Sequence, residues 1–106
     1  MNADKAILLV DDEQGFHDLF HFVLSPLGFA VYSARDGING LEEFRKRRYE
    51  MVFLDVHMPG LTGLELLKKI ILLNPGQKAV IISSSSDPKF IEERRAKEFG
   101  AFFCLQ

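Results

Sequence analysis

Short apolar runs alternate with amphipathic patterns along the whole chain, and this alternation limits the folds that the chain can adopt. Runs of four or five apolar residues, rich in Val, Ile and Leu, are typical of strands buried on both faces of a parallel sheet. We predict strands at residues 6–10, 29–33, 51–54, 79–82 and 101–105. Strands that alternate with single helices predict an α/β fold, a doubly wound parallel sheet of five strands with right-handed crossovers.

Four amphipathic helices are predicted between these strands, each with an apolar stripe at helical spacing. The stripes of the first three helices are Phe16, Leu19, Phe20, Val23, Leu24 and Leu27; Ile38, Leu41 and Phe44; and Leu64, Leu67, Ile71 and Leu72. Thr62 and Glu65 have the spacing of a capping box at the start of the third helix. The fourth helix is predicted at residues 90–99, with Gly100 as its C-cap.

The composition is that of an ordinary globular domain. The 106 residues are 47% hydrophobic and 26% charged, which argues against disorder. The net charge of −2 leaves no electrostatic footprint for nucleic acid, and the basic run at residues 45–48 falls at a predicted helix C-terminus, where it complements the helix dipole. The single cysteine, Cys104, excludes an internal disulfide and suits a reducing cytoplasm. No apolar run has the roughly 18 residues that a membrane span needs, and no signal peptide opens the chain.

Three aspartates stand at the ends of two predicted strands. Asp11 and Asp12 follow the first strand, and Asp55 follows the third. Because the functional crevice of a parallel sheet lies outside the carboxyl ends of its strands, these acids would share one small volume. Clustered carboxylates repel one another and are costly to bury without a cation or a proton. A hard divalent ion such as Mg²⁺ is the natural compensator, and it would in turn bind an anion.

A simpler interpretation exists for part of this cluster. An acidic pair before a helix can cap the helix and interact favourably with its dipole. Capping accounts for Asp11 and Asp12 but leaves Asp55 without a role. His57, two positions beyond Asp55, could be a metal ligand, although a lone histidine there is more often a loop residue.

The serines after the fourth strand also have two interpretations. Ser83 at the strand end would donate a hydrogen bond to an anion in the crevice. Ser86 and Asp87 would cap the helix that follows, with Pro88 in its first turn. The two roles are compatible. A flavin or dinucleotide site is disfavoured, because the loop after the first strand is acidic and no Gly-x-Gly-x-x-Gly follows a strand.

Four segments occur in an order and spacing that is highly specific. They are the first strand with its Asp-Asp-Glu end, residues 54–63, the apolar strand that ends at Ser83, and residues 98–101. Together they resemble the receiver domain of two-component response regulators, over essentially the whole chain. The resemblance implies a flavodoxin-like strand order, 2-1-3-4-5. It also implies that residues 1–106 form one receiver domain that is incomplete at its C-terminus, without the final helix.

The resemblance implies roles for the candidate site residues. Asp55 would accept a phosphoryl group from a histidine kinase or a phosphotransfer protein. Asp12, Asp55 and the backbone carbonyl of His57 would bind Mg²⁺, and Asp11 would help to position the ion. Ser83 would be the hydroxyl that moves toward the acyl phosphate. Such a domain is not an enzyme in the usual sense, although it assists its own phosphorylation and dephosphorylation.

The implied output is a conformational switch in the cytoplasm. It would control an effector domain or a separate output protein. A homodimer is one assembly in which it would act. No direct contact with nucleic acid or membrane is expected. The alternative is a pseudo-receiver, a phosphorylation-independent interaction module that would be silent to phosphoryl donors because the family lysine is absent. The family lysine would be residue 107, one position past Gln106, and the aromatic residue of the fifth strand would fall at Cys104. An uncovered fifth strand would also favour either self-association or a loss of stability.

Overall fold

A parallel sheet with helices on both faces organises the chain. The computed structural model describes residues 5–55, 61–83 and 101–105, with the backbone alone at residues 83 and 101–105. The strands are β1 Ala6–Val10, β2 Ala30–Ala34, β3 Met51–Asp55, β4 Ala79–Ser83 and β5 Ala101–Leu105, and the helices are α1 Gln14–Leu24, α2 Gly37–Lys46 and α3 Gly63–Leu73, with a 3-10 turn at Ser25–Leu27. None of these helices is long and apolar enough to cross a membrane. The fourth predicted helix and Gly100 lie outside the described residues.

The strands pair in parallel in the order β2-β1-β3-β4-β5. This result confirms the α/β fold with the flavodoxin-like strand order that the resemblance implies. Val10 in β1 has two register partners, Ala34 in β2 and Leu54 in β3. Parallel strands that are in register end at the same edge of the sheet, so the residues that follow Val10 and Leu54 lie side by side.

Four strand boundaries differ by one residue from the prediction: the start and the end of β2, and the ends of β3 and β4. β2 begins at Ala30 rather than Phe29, because Phe29 still belongs to the end of the preceding helical turn. Its N–H donates to the carbonyl of Leu24 at 3.2 Å, and Gly28 before it has a φ of 93°, the left-handed conformation that commonly ends a helix. β3 extends to Asp55, whose register partner is Ile82 in β4.

One face of the sheet packs against α2 and α3. Because side chains alternate between the faces along a strand, Ala6, Leu8 and Val10 of β1 share this face. They belong to a buried cluster whose other members are Ala34, Phe44, Tyr49, Val52, Leu54, Leu66, Leu67, Ile70, Ala79 and Ile81. α2 and α3 are therefore fixed to the strands that end at the three aspartates.

The opposite face of the sheet packs against α1. The ring of Phe20 contacts the ring of Phe53 edge to face, with centroids 4.9 Å apart. Phe53 lies between Val52 and Leu54 in β3, so it points away from the cluster that these two residues join. Among the residues of α1, His17 alone is buried. The start of α1 is therefore attached to the sheet through a polar side chain.

The predicted apolar stripes are wrong at several positions. Half or more of the surface is exposed at Leu19, Val23, Leu27, Ile38 and Leu72. In α3 the buried side chains are Leu66, Leu67 and Ile70. A helix on a sheet buries one stripe, roughly 100° wide. α3 is apolar around most of its circumference, so periodicity alone did not identify the buried stripe.

The capping box that the sequence predicts at the start of α3 is confirmed. The N–H of Glu65 donates to Oγ1 of Thr62 at 3.2 Å, and the N–H of Thr62 donates to the Glu65 carboxylate at 3.0 Å. These two bonds satisfy N–H groups that the first turn of a helix leaves without partners. The cap defines the point at which the chain enters α3 after β3.

The basic run lies where the sequence predicts it, at the C-terminus of α2. Lys46 Nζ is 2.8 Å from the carboxylate of Glu43, and Arg47 also contacts that carboxylate, at 3.3 Å. The guanidinium of Arg47 lies 3.8 Å from the ring centroid of Tyr32. Arg47 therefore has local partners at this end of the sheet.

α2 packs closely on the sheet at Gly40. A Cβ atom there would lie 2.9 Å and 3.0 Å from the two Cγ atoms of Val10, and 3.1 Å from Cδ2 of Leu66. Relieving such overpacking costs about 1–3 kcal/mol, against a helix-propensity gain of about 1 kcal/mol for Ala over Gly. We therefore expect Gly40→Ala to lower the free energy of unfolding in urea by about 1 kcal/mol net.

Gly15→Ala is the matched control, since Gly15 lies in α1 and a Cβ there would have no atom within 4 Å. We expect this variant to gain up to about 1 kcal/mol from helix propensity alone. Urea titrations of both variants and the parent measure the difference. A Gly40→Ala variant as stable as the parent would contradict the close packing of α2 on Val10.

Candidate metal site

Three carboxylates meet at the carboxyl edge of the sheet. Asp11 and Asp12 directly follow β1, and Asp55 is the last residue of β3. One carboxylate oxygen from each residue lies within 4.8 Å of those of the other two. The register of the strands explains this, because Val10 and Leu54 are partners and each precedes an aspartate. The structure therefore brings these three predicted site residues together.

The three acids differ in exposure. Asp11 is 1% exposed, Asp55 is partly buried and Asp12 is exposed. Asp11 thus forms the floor of the site, and Asp12 lies at its mouth. A cation or an anionic group arriving from solvent meets Asp12 and Asp55 first.

Hydrogen bonds hold Asp11 from two directions. Its N–H donates to the carbonyl of Ala34 at 3.0 Å, which extends the pairing of β1 with β2 by one residue. Its Oδ1 accepts from the N–H of Glu13 at 2.8 Å. The N-cap of α1 is Glu13, and no side-chain cap bond is present at that helix. The Asp11 carboxylate therefore bonds to the backbone of the N-cap residue, while the side chain of Glu13 makes no cap bond.

Burial raises the pKa of the Asp11 carboxyl above its ordinary value. The hydrogen bond from the N–H of Glu13 lowers this pKa, whereas the charge of Asp55 and then that of Asp12 raise it. The net shift is upward, because the carboxylate is removed from water and has negative charges beside it. The fold therefore holds this acid in a place that disfavours its charge unless a cation is close.

The donors of this cluster are suited to a hard divalent cation. Each of the three aspartates offers a carboxylate oxygen, and the cluster contains neither cysteine nor histidine ligands among the described residues. Carboxylate oxygens are the ligands that Mg²⁺ and Ca²⁺ take in proteins, whereas thiolates and imidazoles favour zinc and copper. The raised pKa of Asp11 agrees with this fit, because a cation would lower it again.

The other predicted site residues are described in part or not at all. Ser83 is the last residue of β4, one position beyond Ile82, which pairs with Asp55; its backbone therefore reaches the same edge of the sheet. The structure describes neither the side chain of Ser83 nor any part of His57. Cys104 is in β5, where its backbone pairs with Ile82.

His17 is a residue of this region that was not predicted. Its Nε2 lies 2.7 Å from the carbonyl oxygen of Asp11, and its Nδ1 lies 2.8 Å from Oγ of Ser33 in β2. The sequence contains one weak signal, because His17 shares a helical stripe with Phe20 and Leu24. That stripe indicates a residue that faces the sheet, but it does not identify the partners.

A protein-family model matches the part of the chain that contains this edge of the sheet, and the match identifies the family. The sequence model described as the response regulator receiver domain matches residues 7–106. The chain belongs to the response regulator receiver domain family. The match confirms the resemblance inferred from the motifs, and it includes all three aspartates of the site.

Two curated relatives illustrate the range of proteins that contain such a domain. The receiver domain is 31% identical over 98 residues to sporulation initiation phosphotransferase F of Bacillus subtilis, covering 92% of this chain and 77% of that protein. It is 31% identical over 97 residues to the transcriptional regulatory protein CreB of Escherichia coli, covering 92% of this chain and 42% of that protein. The chain therefore spans most of the first relative and less than half of the second.

The fold has a solved counterpart at a similar level of identity. The receiver domain of NtrX from Brucella abortus is 33% identical, with a TM-score of 0.83 over 94% of this chain and 84% of that chain. The two chains therefore share their fold over nearly the whole length of this chain.

The raised pKa of Asp11 predicts how stability changes with pH in the absence of metal. A folded-state pKa above the ordinary value of 3.8 means that the folded chain binds the Asp11 proton more tightly than the unfolded chain does. Protonated Asp11 therefore stabilises the fold fully below the ordinary pKa of 3.8, and this stabilisation is lost as pH rises through the higher pKa of the folded state. We expect Asp11→Asn to melt above the parent at neutral pH with a chelator present, and the difference to vanish in acid.

Asp18→Asn is the control for the loss of one negative charge, because Asp18 is exposed on α1 outside the cluster. Calorimetric melts across the pH range compare the two variants with the parent. If Asp11→Asn gained no more than Asp18→Asn at neutral pH, the repulsion inferred for the cluster would be wrong.

Proposed function

We propose that this receiver domain accepts a phosphoryl group on Asp55 and acts as a phosphorylation-controlled switch. The convergence of three carboxylates at the carboxyl edge of the sheet, in a member of this family, is the observation that carries the proposal. A carboxylate is a competent nucleophile toward phosphorus. Phosphoryl transfer otherwise requires mainly positioning and neutralisation of charge, and the site offers the groups for both.

Asp55 is the member of the cluster best placed to be the acceptor. Its backbone is fixed in the sheet by pairing with Ile82, and its side chain is partly buried, so the carboxylate is both held and reachable. Asp11 is too buried to meet a donor that approaches from solvent. Asp12 lies outside the strand and at the mouth of the site, where it suits a ligand role better than that of an acceptor.

Mg²⁺ is the cofactor that we propose for this site. Asp12 and Asp55 would bind it together with the backbone carbonyl of His57, and Asp11 would help to position it. When bound, Mg²⁺ supplies neutralising charge and orients the phosphoryl oxygens. The three carboxylates fit this ion because they are hard oxygen donors that converge on one small volume.

The proposed reaction takes its phosphoryl group from a phosphohistidine on a histidine kinase or a phosphotransfer protein. An oxygen of the Asp55 carboxylate attacks phosphorus and forms a P–O bond. The P–N bond breaks, and its electron pair stays on the imidazole nitrogen of the donor. Ser83 would then donate a hydrogen bond to a phosphoryl oxygen. Hydrolysis reverses the state, because water attacks phosphorus, inorganic phosphate leaves and the carboxylate is restored.

The names of the relatives support a place for this chain in signal transduction. One relative is called a phosphotransferase and another a transcriptional regulatory protein. We propose that the phosphorylated domain controls either a separate output protein or an effector domain. The pseudo-receiver alternative has no observation in its favour, since an interaction module that ignores phosphoryl donors has no need of three converging carboxylates.

Phosphorylation is expected to occur on Asp55 and at no other residue. Incubation with acetyl phosphate and Mg²⁺ should add one phosphoryl group to the parent, as measured by intact-mass spectrometry. Asp55→Asn should abolish the addition, because an amide oxygen does not form the acyl phosphate. Asp18→Asn, which removes an exposed acid on α1, should be labelled like the parent. Labelling of Asp55→Asn to the parental level would show that the acceptor is another residue.

Mg²⁺ is expected to stabilise the fold through the same carboxylates. An ion that binds the folded state alone adds about 2.7 kcal/mol of stability at a concentration of one hundred times its Kd. Melting temperatures should therefore rise with Mg²⁺ in the parent, and the rise should be much smaller in Asp12→Ala. Equal shifts in Asp12→Ala and the parent would place the bound ion elsewhere.

A further inference from the structure

We infer that His17 is a positioning residue of the phosphoacceptor site, acting through the peptide that joins Asp11 to Asp12. This inference rests on the proposed function, because it concerns how the site holds its cation. His17 lies in α1, yet both of its ring nitrogens contact residues outside that helix. The ring therefore links α1 to the end of β1 and to β2.

The partners of the ring determine where its protons lie. His17 is 2% exposed, and the carbonyl oxygen of Asp11, 2.7 Å from Nε2, can only accept a hydrogen bond. Nε2 must therefore carry a proton and donate it. In the neutral ring, Nδ1 then accepts from the hydroxyl of Ser33 at 2.8 Å. Both nitrogens of a buried ring are thereby satisfied, and its orientation is fixed.

The bond to the Asp11 carbonyl determines the position of Asp12. The peptide group is planar, so fixing the carbonyl of Asp11 also fixes the direction in which the chain continues to Asp12. The N–H of Asp11 is held by Ala34 and its carboxylate by Glu13. With His17 bonded to the carbonyl, the N–H, the carbonyl and the carboxylate of Asp11 each have a partner. The orientation of the peptide that leads to Asp12 is therefore fixed.

A purely structural role for His17 makes a different prediction. A residue that only fills the gap between α1 and the sheet would, when replaced, lower the stability of the fold without changing how the folded protein binds a cation. Partners that orient metal ligands change the affinity itself, typically by about 10–100-fold. Stability and Mg²⁺ affinity therefore distinguish the two roles.

The test compares Mg²⁺ binding by calorimetric titration in four variants of the full chain. His17→Leu keeps the bulk of the ring and removes both hydrogen bonds, and it should weaken Mg²⁺ binding about tenfold. His17→Gln should recover most of this loss, because its amide can donate to the Asp11 carbonyl. Ser33→Ala, at an exposed position, should weaken binding by a smaller factor.

Gln77→Leu is the matched structural control. Gln77 is also buried and also donates to backbone carbonyls, those of Tyr49 at 3.2 Å and Lys78 at 3.0 Å, next to the first residues of β3 and β4 and thus away from the aspartates. Its replacement should lower the free energy of unfolding and leave the Kd for Mg²⁺ unchanged.

Each outcome of the titrations decides between the roles. If folded His17→Leu binds Mg²⁺ as tightly as the parent, the positioning role is wrong; if that variant does not fold, parental affinity in Ser33→Ala overturns it equally. The positioning role would also be wrong if His17→Leu bound Mg²⁺ weakly and His17→Gln bound it just as weakly. Failure of the parent to bind Mg²⁺ would instead refute the proposed function, and the inference would fall with it. Acetyl phosphate labelling of the parent and Asp55→Asn separates these two cases.

Discussion

The parallel, in-register pairing of β1 with β3 is the constraint on which the rest of the site depends. Val10 and Leu54 are partners, so the residues after them leave the sheet at the same edge. Both are aspartates, and a second aspartate follows the first. The packing of α2 and α3 on one face and α1 on the other holds this register, since a shift of one residue would turn the apolar side chains of β1 and β3 to the wrong faces. The packing of the apolar core thus determines how far apart the three aspartate carboxylates lie.

Holding these carboxylates together places three acidic groups close to one another at the edge of the sheet. Asp11 cannot turn away, because its N–H and its carboxylate are both bonded to backbone. Burial, and after it the charges of Asp55 and Asp12, raise its pKa and so disfavour the ionised form. A bound cation relieves the repulsion, and a phosphoryl group on Asp55 would add charge again. Because the carboxylates are held close together, the site would respond both to cation binding and to phosphorylation. Hydrogen bonds from Asp11 to Ala34 and from His17 to Asp11 connect the site to β2 and α1.

Features that depend on local pattern and chain order could be predicted from the sequence. Asp11, Asp12 and Asp55 could be grouped because alternating strands and helices imply a parallel sheet, and a parallel sheet brings strand ends together. The capping box of Thr62 and Glu65 could be found because it is confined to four residues. The hydrogen bond between His17 and Ser33 could not, since it joins a helix to an edge strand and depends on the rotation of α1. The buried stripe of α3 was misplaced for a related reason: Leu66 and Ile70 are no more apolar than Leu72, and tertiary packing alone chose between them.

The coupling free energy between Asp11 and Asp55 is the most direct measure of whether one cation site organises this edge of the sheet. A double-mutant cycle of Asp11→Asn, Asp55→Asn and the combined variant, followed by urea unfolding, measures it with a chelator and again with saturating Mg²⁺. Without metal the coupling should be repulsive, so that the double variant gains less than the sum of the two single gains. With Mg²⁺ the sign should reverse, because each single variant already loses most of the bound ion. A coupling that is absent, or that keeps the same sign in both conditions, would contradict a shared cation site at Asp11 and Asp55.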